Sequence, residues 1–418
     1  MEFVIGTLPL LLVLTLILAC VRKWATRELT IKEVGIVDWC MVGGLCLRTL
    51  WAIIVIVLSD HGYCYLVYDD QTYHEVAMGL QAARDDNAYY SFLTWVYAMF
   101  GHSSMNGRLI NLFMSLMAIY PTAIIEKLII TRTNFRATKL VSLSPFMVFC
   151  SFFEIKDIIL LFTFTGTYAT LKLFERKHKK WQLLLLAFFC VISEMFRSGM
   201  GILPIGILIF QMLIKGIGQS RFERFLSAVV GLMIGIGAIF YVGSNYLLEA
   251  GLQLDRYQRW IFTQFSESSI YNQFVITDIS GLWKLPFCFL LYMIQPLNAL
   301  DGTQRFFSEF GAFAKLLDVA PLLIAILFMP RFIRREKWDS FLLFIPLSFV
   351  SAINLTNARQ GYFLYPLLYI SYAMAFDPPD TIRYKNLFTS IYNNPKLIGY
   401  GQYIFTFFWI ILMVYRNI

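Results

Sequence analysis

The chain has 418 residues, of which 58% are hydrophobic and only 15% charged, and its mean hydropathy is +0.63. Soluble domains run about 45–50% apolar and about 25% charged, so the composition excludes an ordinary soluble domain and predicts an all-α, polytopic membrane helical bundle, because a helix satisfies its own backbone in lipid. A net charge of +8 would point to nucleic acid in a soluble protein, but here the basic residues sit in short clusters between apolar runs, and no nucleic-acid partner is expected.

Runs at 3–21, 34–58 and 405–415 approach or exceed the roughly 20 residues a helix needs to cross hydrocarbon. The first lacks a basic n-region and a small-residue cleavage site before Arg22 and Lys23, so it reads as a retained helix and not as a signal peptide. Basic clusters follow at 22–32, 132–139, 172–180, 215–224, 331–337 and 383–385. The positive-inside rule makes these cytoplasmic. Helices then fall near 3–21, 36–58, 106–130, 137–153, 157–174, 181–196, 200–217, 225–243, 314–331, 340–356, 361–376 and 400–417, about twelve spans whose directions alternate without contradiction. The stretch 282–300 holds Pro286 and Pro296 and reads as a re-entrant or interfacial element.

On that topology the N-terminus lies outside. So do the Asp69/Asp70 loop, the turn from Glu154 to Asp157, the Arg197 turn, the segment 244–283 and Arg359. The large connections, 59–105 and 244–313, are both external. Residues 1–33 form an additional N-terminal helix with a basic cytoplasmic loop, 34–376 a catalytic core, and 377–418 a cytoplasmic segment with a C-terminal helix.

The densest polar feature is Tyr68-Asp69-Asp70-Gln71-Thr72-Tyr73-His74-Glu75, just beyond an apolar run. Carboxylates are expensive at a membrane helix end, and such a loop reads as a site. Tyr73 and Ala77 lie four and eight residues after Asp69, so a helix beginning there carries all three on one face. Asp69 is also a good N-cap, and capping of an interfacial helix is the competing reading. As a site, Asp69 is a general base for a hydroxyl or amine, with Asp70 raising its pKa or orienting the acceptor. Tyr73, His74 and Glu75 position the acceptor or the loop. His74 and Glu75 with Asp69 and Asp70 also form a set that a divalent cation accepts, although a lone histidine beside carboxylates is more often a hydrogen-bonded surface group. No cofactor is certain from the sequence, and a divalent cation at this set is the one it leaves open.

Arg197, Arg359 and Lys156 stand at external helix ends, where they can hold a donor phosphate; the alternatives are headgroup snorkelling for the arginines and pairing of Lys156 with Glu154 or Asp157. Arg108, three residues before Asn111, reads as structural. Arg84, Asp85 and Asp86 read as a solvated turn. The aromatic and charged run at Asp255, Arg256, Tyr257, Arg259 and Trp260 suits a carbohydrate surface or an interfacial belt. The seven cysteines (Cys20, Cys40, Cys46, Cys64, Cys150, Cys190 and Cys288) lie mostly in apolar runs without CxxC spacing, against a disulfide framework or a zinc site. No Walker A, GxGxxG or HExxH motif is present, which excludes the nucleotide and zinc-protease classes these mark.

The segment Asp69 to Ala77 resembles the first external loop of the C-type (GT-C) glycosyltransferases, in which an Asp with an acidic neighbour precedes Tyr and Ala at these spacings. The stretch Tyr89 to Gly101 followed by Arg108-Leu109-Ile110-Asn111 is similar to the protein O-mannosyltransferase and lipid A aminoarabinose transferase branches, which usually have Pro where this chain has Asn87 or Ala88. Ser144-Pro145, Glu154-Ile155-Lys156-Asp157, Arg197-Ser198-Gly199, and Arg359 with Pro366 follow in the expected order. The resemblance covers roughly 36–376. It implies a GT-C-like bundle with short interfacial helices in the first external loop. It also implies an inverting transfer from a polyprenyl-phosphate-linked sugar donor to a lipid-linked or glycan acceptor at the external, periplasmic face of the cytoplasmic membrane, with Asp69 as base and Asp70 as its supporting acid. The rival readings are a surface-polysaccharide polymerase or ligase using pyrophosphate-linked oligosaccharides, and a lipid-linked sugar flippase or transporter.

Overall fold

A computed structural model describes residues 2–58, 68–83, 88–130, 133–197, 200–215, 220–234 and 358–377, with shorter pieces at 236–237, 284, 404 and within 311–329. The segment 244–283, the predicted helix 340–356, all of 400–417 but residue 404, the turn at 84–87 and nearly all of 282–300 and of the 377–418 segment lie outside the described residues. Within them the chain is helical and no strand occurs. The helices are α1 (Glu2–Thr26), α2 (Ile31–Leu58), α3 (Tyr68–Ala77), α4 (Ala88–Phe100), α5 (Ser104–Met117), α6 (Ile119–Ile129), α7 (Arg136–Leu143), α8 (Pro145–Cys150), α9 (Lys156–Lys177), α10 (Lys180–Phe196), α11 (Ile202–Lys215) and α12 (Tyr365–Met374). Residues 221–234 are also helical.

Four of these stretches are long and apolar enough to cross a membrane: Thr7–Thr26, Ile31–Val57, Ser104–Ile129 and Lys156–Lys177. The third runs through α5 and α6, as the single predicted helix at 106–130 requires. Helix α2 begins five residues earlier than predicted because Thr30 and Glu33 form a capping box. The Thr30 amide donates to Glu33 Oε2 at 2.8 Å, and the Glu33 amide to Thr30 Oγ1 at 3.4 Å.

The predicted helix 137–153 is two helices. Pro145 forces the residue before it out of the helical region, and Ser144 sits at φ −56°, ψ 131°. Its hydroxyl then accepts from the Met147 amide at 3.2 Å and caps α8. The predicted helix 361–376 likewise opens as a 3-10 turn, Ala358–Leu364, before α12.

The chain divides into two compact units, one of Met1–Gly166, Pro296–Phe332 and Tyr362–Ile418, the other of Thr167–Gln295 and Ile333–Gly361. In the first, α1 packs against α4, α5 and α6, and α2 against α5 to α8. Arg48 of α2 is fully buried and donates to Ser115 Oγ, to Gly44 O and to the Val141 and Ser142 carbonyls that α7 leaves without helical partners. Helix α8 is clamped in turn. Trp51 Nε1 donates to Phe149 O at 2.9 Å, Tyr362 OH to Met147 O at 2.8 Å, and Ser144 and Tyr369 hydroxyls both donate to buried Asp318. That clamp fixes where 152–155 emerges. In the second unit α10 packs on α11, and Glu194 accepts the Gly201 amide at 2.9 Å across their connection.

Candidate active site

Helix α3 buries Asp70, Tyr73, His74 and Ala77, at the i, i+3, i+4, i+7 spacing of a helix face, with Thr72 buried beside them. Asp70 heads that stripe. Asp69 lies in the same turn, with its side chain outside the described residues. Helix α4 answers with Tyr89, Tyr90, Leu93, Val96 and Tyr97 on its buried face, and exposes Trp95 and Met99. Tyr73 meets Tyr89 edge-on at 4.7 Å and Tyr90 at 5.0 Å between ring centres. Gly101, at φ +99°, ends α4 in a conformation that glycine adopts without strain, and Asn106 ties the corner by donating to the Phe100 and Gly101 carbonyls at 3.0 and 2.8 Å.

The second wall is the irregular backbone 152–155, wholly buried between α8 and α9. Buried carbonyls need donors, and Asn111 of α5 supplies them. Its Nδ2 reaches Phe153 O at 2.5 Å, Ile155 O at 3.1 Å and Tyr89 OH at 3.2 Å. This holds Glu154 beside α3. The Glu154 amide donates to Asp70 Oδ1 at 3.3 Å, and Tyr97 OH donates to Glu154 Oε1 at 2.6 Å. His74 Nδ1 lies 2.7 Å from the same hydroxyl and 3.7 Å from Glu154 Oε2. Arg108 of α5 is buried nearby, its guanidinium 5.8 Å over the Phe152 ring.

Burial dominates the electrostatics. It pushes the Glu154 carboxyl up to about 8; Asp70's charge adds to that rise, while Arg108 and the Tyr97 hydrogen bond oppose it. It pushes His74 down to about 4, with Arg108 adding to the fall and Glu75 opposing it. Near neutral pH both groups are therefore uncharged, and their proximity is not an ion pair. Burial and the Glu154 charge also raise the Tyr89 and Tyr97 hydroxyls, which stay protonated donors.

Of the residues the sequence nominates, Asp70, Tyr73 and His74 come together in this cluster. His74 is not the surface histidine that its acidic neighbours predict, because the stripe turns it inward onto Tyr97. Glu75 is half-buried on another face and accepts from Gln71 at 2.7 Å. Lys156, half-buried, opens α9 two residues after Glu154. Arg197 caps α10 in the second unit and is half-buried. Arg359 belongs to that unit too and lies in the 3-10 turn Ala358–Leu364, its side chain outside the described residues. Among the described residues no three metal-ligating side chains converge. In the sequence Glu154 reads as part of an external turn and as a partner for Lys156, and Tyr97 only as a member of the Tyr89 to Gly101 stretch; neither is read as a site residue. The signal for Glu154 was its setting: a single carboxylate between Phe152-Phe153 and Ile155, where solvated turns carry polar neighbours.

Comparison with known protein families, curated proteins and solved structures finds no match to this chain.

Proposed function

We propose that this chain is a polytopic membrane glycosyltransferase of GT-C type, with about twelve spans and its site on the external face of the cytoplasmic membrane. The observation that carries the reading is the pairing of the acidic start of α3 with Glu154. Two acidic elements, 84 residues apart in sequence, are held together under a shell of tyrosines. Glu154 lies beside Gly107, near the start of one apolar helix long enough to span a membrane, and two residues before the start of another; carboxylates within such helices are costly and usually functional. The acidic-aromatic spacing of α3 and the Tyr89 to Asn111 stretch add the resemblance to the family.

In this reading Asp69 takes the proton of the acceptor hydroxyl or amine as its oxygen or nitrogen attacks the anomeric carbon. Asp70, tied to the Glu154 amide, fixes the turn that carries Asp69. The bond between the anomeric carbon and the phosphate oxygen breaks with inversion, and the polyprenyl phosphate leaves with the electron pair. Lys156 is the cation of the first unit assigned to that phosphate; Arg197 and Arg359 hold the same assignment on sequence grounds.

The test is transfer from a set of polyprenyl-phosphate sugars to membrane lipid extracts by purified wild type, Asp69→Asn and Asp70→Asn. Addition of one sugar, abolished in Asp69→Asn and reduced in Asp70→Asn, is expected. A product ladder moves the assignment to a polymerase, and normal turnover by Asp69→Asn removes that residue as base.

A further inference from the structure

We propose that His74, Tyr97 and Glu154 form a one-proton relay, which takes up a proton at His74 Nε2 and holds it on Glu154. The three groups come from three elements, and all are buried. Tyr97 stands between the other two at hydrogen-bond distance on both sides, 2.7 Å from Nδ1 and 2.6 Å from Oε1. Direct exchange between His74 and Glu154 is too long at 3.7 Å, so the hydroxyl is the bridge.

A phenol has one hydrogen to give, and this makes the chain directional. With Glu154 ionised, Tyr97 donates to Oε1 and its oxygen accepts from Nδ1–H, leaving the imidazole lone pair on Nε2. A proton arriving at Nε2 forms an N–H bond there. The Nδ1–H bond breaks and its hydrogen passes to the Tyr97 oxygen, while the hydrogen originally on Tyr97 passes to Oε1. One proton is gained, Glu154 loses its charge, and the imidazole is neutral before and after with its hydrogen moved from Nδ1 to Nε2. No heavy atom needs to move.

The surroundings favour those two end states over any with a charged imidazole. Arg108 on α5 opposes an imidazolium, and Asp70 on α3 opposes a second negative charge at Glu154. Among the described residues, the other titratable groups that act on these three are Glu75 on α3, Tyr89 on α4 and His102 beyond α4, whose ring lies 6.3 Å from that of Tyr97. The relay's use in catalysis rests on the glycosyltransferase reading: the acceptor's proton, taken first by the carboxylate pair on α3, has in Glu154 a buried place to remain while the phosphate departs.

The test needs no substrate. Full-length protein carrying 15N-histidine is titrated through about pH 8 in detergent, following the His74 ring nitrogens by NMR and the Glu154 carboxyl band by infrared, with His74→Gln and Glu154→Gln assigning the signals. The expected result is a single midpoint. As the carboxyl band disappears, the His74 hydrogen moves from Nε2 to Nδ1, and in Tyr97→Phe the ring no longer follows the carboxyl. A His74 ring that keeps one tautomer throughout the ionisation of Glu154 overturns the relay, as does coupling that survives in Tyr97→Phe. Should that variant fail to fold, the wild-type midpoints alone decide. Loss of the transferase reading leaves this measurement untouched, and a fixed tautomer in an active transferase removes only the relay.

Discussion

Glu154 Oε1 lies against the Cα of Gly107, in the space a side chain would fill. A Cβ at Gly107 would overlap that oxygen and come 3.0 Å from Leu93 Cδ2. The glycine is what lets a carboxylate approach the α5 backbone and meet Tyr97.

Gly107→Ala should therefore displace Glu154 and break its bond to Tyr97. Overpacking of a filled site costs about 1–3 kcal/mol, so a lower unfolding temperature in detergent is expected together with loss of transfer. Gly35→Ala, in α2 with open space around it, is the control and should be neutral or slightly stabilising. Equal behaviour of the two variants would show that the close approach has no energetic weight.

The buried pair gives stability a pH dependence whose sign follows from its two shifts. Glu154 titrates at about 8 when folded against 4.5 ordinarily, so between those values the folded state holds the extra proton and stability falls as pH rises. His74 titrates at about 4 against 6.5, so between those values the unfolded state holds the extra proton and stability rises with pH. The slopes oppose each other up to 6.5, and from there to about 8 Glu154 acts alone. At about 1.4 kcal/mol per pH unit for one proton, the loss is roughly 2 kcal/mol. Wild type minus Glu154→Gln should show that decline in thermal unfolding, and superimposable pH profiles would exclude a neutral, buried Glu154.

The long apolar helices were legible because hydropathy acts over many residues at a time; 106–130 and 181–196 fall within a few residues of the observed ends. The break at Ser144-Pro145 was visible in two letters, yet the continuous apolar run masked it. Of the site, α3 was legible and its partner was not. The pairing of Asp70 with Glu154 depends on how α8 leaves its clamp and on a donor, Asn111, that sits 42 residues from the carbonyl of Phe153. Such an arrangement is set by packing and leaves no local periodicity. The choice between Asp69 and Asp70 turns on one residue of register, and the structure puts Asp70 in the buried face.

Asn111 should be the most sensitive support of the site. Its amide nitrogen serves two buried carbonyls of 152–155 and the Tyr89 hydroxyl. Asn111→Leu leaves those acceptors without this donor, at about 1–3 kcal/mol for each buried group left unsatisfied. Asn111→Asp should be worse, since it turns an acceptor toward acceptors. Both are expected to lower the unfolding temperature and transfer together. A stable Asn111→Leu would mean that the 152–155 backbone is held by other contacts.

Arg48 offers the clearest test of how the first unit is held. Its five N–H groups reach Ser115 Oγ and three backbone carbonyls at 2.6–3.3 Å, so no donor is left over for a ligand. Replacing a buried charge by a hydrophobe can be neutral when its partners are replaced too, but the Val141 and Ser142 carbonyls are backbone and stay. Arg48→Met should accordingly destabilise by about 2–4 kcal/mol, from at least two buried carbonyls losing this donor. The hydroxyl of Ser115 has value chiefly as the acceptor of Arg48, so Ser115→Ala should cost about 1 kcal/mol or more in the wild type and far less in the Arg48→Met background. Additive losses would show that the two side chains act separately and that the α2 to α7 junction is held by packing alone.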